Sequence, residues 1–196
     1  MHILFIHQAF PAQFGGLGLE LHDRYGWRCS YLVQDLAANP TPTPEMLAKL
    51  AVHRLPLPAG YRTRGPVPWA QTYAHYLERC AIAYDGLRAR PELKPDLVVC
   101  HDGLGPALFV PDLLDCPVVN YCEYYFAPRH ADISYRVDLP PVDPAHFYPR
   151  CINAGTLVGL VDCDGAYAPT RWQQQSFPER FRPKIEVHFD GVDART

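Results

Sequence analysis

His101 and Asp102 stand directly after Leu97-Val98-Val99-Cys100, an apolar run with β-branched residues that is opened by Pro95 and followed by Gly103. A continuous apolar run bounded in this way predicts a strand buried on both faces, as in the middle of a parallel sheet. Ligands of open α/β sheets sit outside the carboxyl ends of the strands. An imidazole at that end can act as a base or bind a hydroxyl, because its ordinary pKa lies close to neutrality. The competing assignment is a surface turn in which Asp102 caps the next helix.

Three further groups fall on the same rim. Glu123 follows a predicted strand, Val118–Tyr121, and is flanked by Tyr121, Tyr124 and Tyr125. A carboxylate among rings suits a carbohydrate, whose hydroxyls donate to the acid while its faces stack on the aromatics. Three aromatics after one strand cannot all be buried on one side of it, which favours a site. The alternative buries the tyrosines and pairs Glu123 with an arginine such as Arg129. His7 and Gln8 end the first apolar run, either as part of the site or as a polar loop start. Gly15-Gly16-Leu17-Gly18 opens a helix, where backbone amides and the helix dipole suit a phosphate. The alternative is a plain turn. A dinucleotide fingerprint needs a third glycine where Leu21 stands; only Asp35 falls where a ribose-binding acid would. No nucleophile elbow, Walker motif or metal-binding histidine spacing occurs.

The elements that must hold these residues alternate between strand and helix. Strands are predicted over His2–Ile6, Trp27–Val33, Val52–Leu55, Leu97–Cys100, Val118–Tyr121, Gly165–Ala168 and Lys184–His188. Helices are predicted over Leu17–Tyr25, a turn at Glu45–Leu50, Trp69–Arg90, Pro106–Leu114, Cys151–Val161 and from Thr170 to about Phe177. Residues 127–149 read as a long loop. This alternation implies one α/β domain with a Rossmann-like, doubly wound parallel sheet and helices on both faces.

Composition excludes several classes. With 196 residues, 48% hydrophobic and 20% charged, the chain can bury a sizeable core and is not a disordered segment. A formal net charge of -3 without a basic run argues against a nucleic-acid binder. The 21 prolines punctuate the loops. Seven cysteines, an odd number without a Cys-x-x-Cys pair, argue against a disulfide framework and for a reducing, cytoplasmic location. No apolar stretch is long enough to span a membrane, and the N-terminus runs straight into a strand without a signal-peptide pattern.

Taken together, several segments resemble a group of family 4 glycosyltransferases. They are Ile3 through Phe14, Val119-Asn120-Tyr121-Cys122-Glu123-Tyr124-Tyr125, Ala168-Pro169-Thr170-Arg171-Trp172-Gln173, Phe177-Pro178, and Lys184 through Asp193. The group often carries a glutamate where this chain has Pro106. The resemblance implies the N-terminal, acceptor-side half of a GT-B enzyme that transfers a sugar from a nucleotide-sugar to a hydroxyl acceptor with retention, without a cofactor or obligatory metal. It implies a Rossmann-like domain over residues 1–188 and the start of an interdomain linker at 189–196. The donor-binding C-terminal domain would be absent and the chain alone inactive. It also implies that His101 and Glu123 orient or deprotonate the acceptor, with His7, Gln8, Gly15, Gly16, Asp102, Tyr124 and Tyr125 binding substrate. The location would be cytoplasmic or peripheral to the inner face of the membrane. Two alternatives stay open: a free-standing sugar- or nucleotide-binding module, and a nicotinamide oxidoreductase built on Gly16, Gly18 and Asp35.

Overall fold

The computed structural model describes residues 1–34, 41–58, 68–102, 107–127, 138 and 147–191. Its frame is a seven-stranded parallel sheet: β1 (His2–His7), β2 (Arg28–Val33), β3 (Ala51–Arg54), β4 (Leu97–His101), β5 (Val118–Tyr121), β6 (Gly165–Ala168) and β7 (Ile185–Val187). The order across the sheet is β3-β2-β1-β4-β5-β6-β7, so the winding reverses between β1 and β4. That reversal opens a crevice at the carboxyl ends of those two strands. All seven predicted strands are present, with ends shifted by a residue or two.

Side chains of β1 alternate between two cores. Leu4 and Ile6 join Leu32, Val98 and Cys100 under α3 (Pro68–Arg88) and α4 (Phe147–Asp162), where Ala83, Leu87 and Leu160 complete the cluster. Ile3 and Phe5 join Tyr31, Val33, Val99 and Tyr121 on the opposite face. There they meet Phe10, Phe14, Leu19 and Leu21 of the first loop and α1 (Gly15–Tyr25), and Met46 of α2 (Pro44–Lys49). Period-two alternation puts the side chains of His7, His101 and Tyr121 on this second face. α3 and α4 pack closely because Gly155 carries no Cβ; one built there would lie 2.7 Å from Tyr76 Cε1.

Several predicted boundaries move. α1 starts at Gly15, so the glycines lie inside the helix. α4 starts at Phe147, one turn before the expected Cys151. Of the segment expected as a helix over Pro106–Leu114, Pro106 lies outside the described residues, and residues 107–114 hold a 3-10 turn at Val110–Asp112, where Pro111 withholds an amide. A second 3-10 turn, Glu179–Lys184, precedes β7 and has no periodic apolar signal in the sequence. α5 (Arg171–Ser176) is capped by Thr170, whose hydroxyl accepts from the Gln173 amide at 3.2 Å and donates to the Gln173 side chain at 2.7 Å. All seven cysteines are free thiols, and among the described residues no helix is long and apolar enough to cross a membrane.

Candidate active site

The crevice at the reversal brings together residues from three strands. His7 ends β1 and His101 ends β4, and their rings meet edge to face at 5.1 Å between centroids. Tyr121, at the end of β5, tilts against His101 at 5.0 Å, and Phe14 closes the group edge-on to both His7 and Tyr121. Glu123 lies two residues past Tyr121, with Oε2 3.2 Å from Nε2 of His101.

The hydrogen bonds around His101 fix its tautomer. Nδ1 lies 2.7 Å from the Asp102 carbonyl, which can only accept, so Nδ1 carries a proton. In the neutral ring Nε2 is then a lone pair facing the Glu123 carboxylate. The two are within charge-contact range without an aligned hydrogen bond, and Nε2 is otherwise buried and unpartnered. Nε2 is therefore placed to share a proton across this 3.2 Å gap with the carboxylate or with a bound hydroxyl. Contact with the imidazole holds Glu123 below the usual carboxylate range, against partial burial that pushes it up.

His7 is the quieter partner. Its Nδ1 lies 3.0 Å from both the amide and the carbonyl of Ala9, and Nε2 is buried without a partner. Burial, reinforced by the neighbouring His101, lowers its pKa to about 4. His7 is therefore neutral at physiological pH.

Glu123 is held by its own segment. The Tyr125 amide donates to Ser176 Oγ at 3.0 Å, and the Tyr125 ring packs against buried Phe177. Phe126 exchanges two bonds with the buried amide of Asn153: its N–H donates to Oδ1 at 3.1 Å, and its carbonyl accepts from Nδ2 at 2.6 Å. From the other side Tyr121 Oη donates to Asp190 Oδ2 at 2.7 Å, tying the stretch after β7 to β5.

Not every expected residue joins this group. The Asp102 amide donates to the Tyr121 carbonyl, bracing the turn after β4. Gln8 accepts from Arg79 Nη1 at 3.0 Å, and Gln34 accepts from Arg79 Nε at 2.6 Å, so Arg79 of α3 ties down the ends of both β1 and β2. Gly15 and Gly18 serve packing. Their amides already donate to the Pro11 and Phe14 carbonyls, and a Cβ would strike Pro11 Cβ at 2.2 Å or Tyr31 Oη at 1.8 Å. Only Gly16 faces open space. Tyr125 is a core contact, whereas Tyr124 stacks on Trp172. Arg129 and Asp35 lie outside the described residues. Asn153, Ser176 and Asp190, which position the site from 27 to 69 residues away, carry no local sequence signal.

A Rossmann-like sheet with ionisable groups gathered at its reversal point is the architecture of one half of a GT-B glycosyltransferase, and the solved structures agree. A UDP-glucosyltransferase from Polygonum tinctorium, capable of glucosylating indoxyl, superposes with a TM-score of 0.59 at 10% identity, over 100% of this chain and 54% of that one. UGT2 of Phytolacca americana, complexed with UDP-2fluoro-glucose and pterostilbene, gives 0.57 at 13% identity, over 97% and 54%. A sucrose-phosphate synthase structure from Thermosynechococcus elongatus gives 0.54 at 10% identity, over 100% and 91%. The chain spans about half the length of the two plant proteins. At the sequence level, the model described as Glycosyl transferase family 4 group matches residues 55–196. The chain belongs to that family. No curated protein matches the sequence.

Proposed function

We propose that this chain is the acceptor-binding half of a retaining GT-B glycosyltransferase, with Glu123 as the group that faces the acceptor hydroxyl. The observation that carries this is the pairing of a half-exposed carboxylate with a buried, tautomer-fixed imidazole at the sheet's reversal point. A nucleotide-sugar donor would be held by a second Rossmann-like domain facing this rim. For retention, the acceptor oxygen bonds to the anomeric carbon on the same face from which the diphosphate departs; the bond from that carbon to the diphosphate oxygen breaks, and the nucleotide diphosphate leaves with the electron pair. The acceptor proton passes to Glu123, with His101 Nε2 behind it as the second acceptor of that proton. His7 and Phe14 keep water away from the inner side of the imidazole.

The isolated chain is expected to bind UDP-glucose weakly or not at all in a calorimetric titration. Tight binding with turnover by these residues alone would overturn the half-site assignment. It would favour a self-sufficient binding module or enzyme.

A further inference from the structure

Trp172 belongs to the Pro-Thr-Arg-Trp-Gln stretch, yet the chemistry above leaves it without a task. It is 66% exposed, among the most exposed large hydrophobic side chains of the described residues. Leaving so large an apolar side chain in water forgoes the gain of burying it. The indole is nevertheless held in place. Thr170 caps the helix that carries it, and the Tyr124 ring lies against one indole face, 5.3 Å between centroids and 16° from parallel. Phe126 braces Tyr124 edge-on at 5.2 Å. The Tyr124 segment is itself pinned through Tyr125 to Ser176 and through Phe126 to Asn153. The indole is thus a fixed, largely exposed aromatic plane, backed by a tyrosine that is one residue along from Glu123.

We infer that Trp172, backed by Tyr124, is the platform on which a sugar ring of the acceptor stacks; this rests on the acceptor-side assignment above and specifies that the acceptor is a carbohydrate. The C–H face of a pyranose covers a flat ring without polar loss, and its hydroxyls project from the edge. Glu123, next in the chain to Tyr124, would accept from one of those hydroxyls. Gln175, exposed and one turn along α5 from Trp172, supplies an amide. A protein partner would need a patch of about 800 Å² a side, far more than two stacked rings offer.

The three tryptophans, Trp27, Trp69 and Trp172, give separate indole N–H signals in a proton–nitrogen correlation spectrum, and W172F identifies that of Trp172. The probes are the methyl glycosides of glucose, galactose, mannose and N-acetylglucosamine at millimolar concentration, with phenol as the non-sugar control. At least one glycoside is expected to move the Trp172 signal and leave Trp27 in place, and Tyr124→Ala is expected to weaken that response. In the protein that carries this chain with its donor half, Trp172→Ala should raise the acceptor KM about tenfold with kcat little changed. A Trp172 signal unmoved by every glycoside, or moved by phenol alone, overturns the platform. A signal that moves while Glu123→Gln retains full transfer leaves the platform standing and removes the proton-accepting role of Glu123, so the two failures are separable.

Discussion

Nε2 of His101 lies 3.2 Å from Oε2 of Glu123, yet the side chains differ sharply in exposure, 2% for the imidazole and 47% for the carboxylate. The pair is therefore directional. A hydroxyl arriving from the crevice meets Glu123 first, and the imidazole acts on it only through or beside that carboxylate. Sequence spacing ranks the two residues equally; their depth separates them.

Glu123→Gln keeps the shape of the side chain and removes its basicity. In the protein carrying both halves, kcat is expected to fall by about 10²–10⁴-fold, the usual worth of a positioned general base, with acceptor KM changed far less. Because His101 holds the carboxylate below its ordinary range, the acid limb of kcat/KM should lie below the usual glutamate value. Steady-state kinetics across pH measures both.

Acid should destabilise the fold, and His7 should be a main cause. Its folded pKa of about 4 lies below the ordinary 6.5, so the unfolded chain takes up a proton in that window and the folded chain does not. Stability from this group is complete above 6.5 and falls as pH drops toward 4. Between pH 7 and pH 5 the loss is about 2 kcal/mol. Glu123, with its depressed pKa, adds a loss of the same sign at lower pH. Urea unfolding at the two pH values should show a smaller difference in His7→Gln than in the parent chain.

The three glycines at the start of α1 should respond in opposite directions. Gly16→Ala adds a methyl to open space in a helix and should stabilise by about 0.5–1 kcal/mol. Gly18→Ala drives a methyl into Tyr31 Oη, which cannot retreat because the ring is buried and its hydroxyl donates to the Phe14 carbonyl at 2.9 Å. Gly15→Ala meets the ring of Pro11. Each should destabilise by about 1–3 kcal/mol. Thermal or urea unfolding of the three variants decides between packing and an anion-binding turn as the reason for Gly15 and Gly18.

Asn153→Ala should remove both bonds to the Phe126 backbone and leave its part-buried amide and carbonyl short of partners, a loss of about 1–3 kcal/mol. Since Phe126 lies three residues from Glu123, transfer should also decline. Asn153→Asp keeps one acceptor and should recover only the bond from the Phe126 N–H. Unfolding curves and kcat for the two variants test this together.

Much of the frame was legible in the chain. The runs Ile3–Ile6 and Leu97–Cys100 are apolar, and Val118–Tyr121 is broken only by Asn120, because both faces of a central parallel strand are buried; such a run between turn residues leaves little other choice. Their alternation with helices dictates a parallel sheet, and the end of each run marks where polar groups must emerge. His7, His101 and Glu123 could therefore be assigned to one rim from the sequence. The 3-10 turn at Glu179–Lys184 and the early start of α4 were not legible, because neither carries a periodic apolar signal.

What the sequence by itself determined was which residues reach the carboxyl rim, since that follows from local hydrophobic pattern and chain order. What only the tertiary structure decided was their standing within it. His101 is sealed beneath Glu123, Gln8 is turned to Arg79, Gly15 and Gly18 are consumed by packing, and Trp172 is brought face to face with Tyr124. Those outcomes depend on contacts between segments tens of residues apart. Burial and hydrogen-bond partners at such distances are set by how the strands and helices pack, and no local stretch of sequence encodes them.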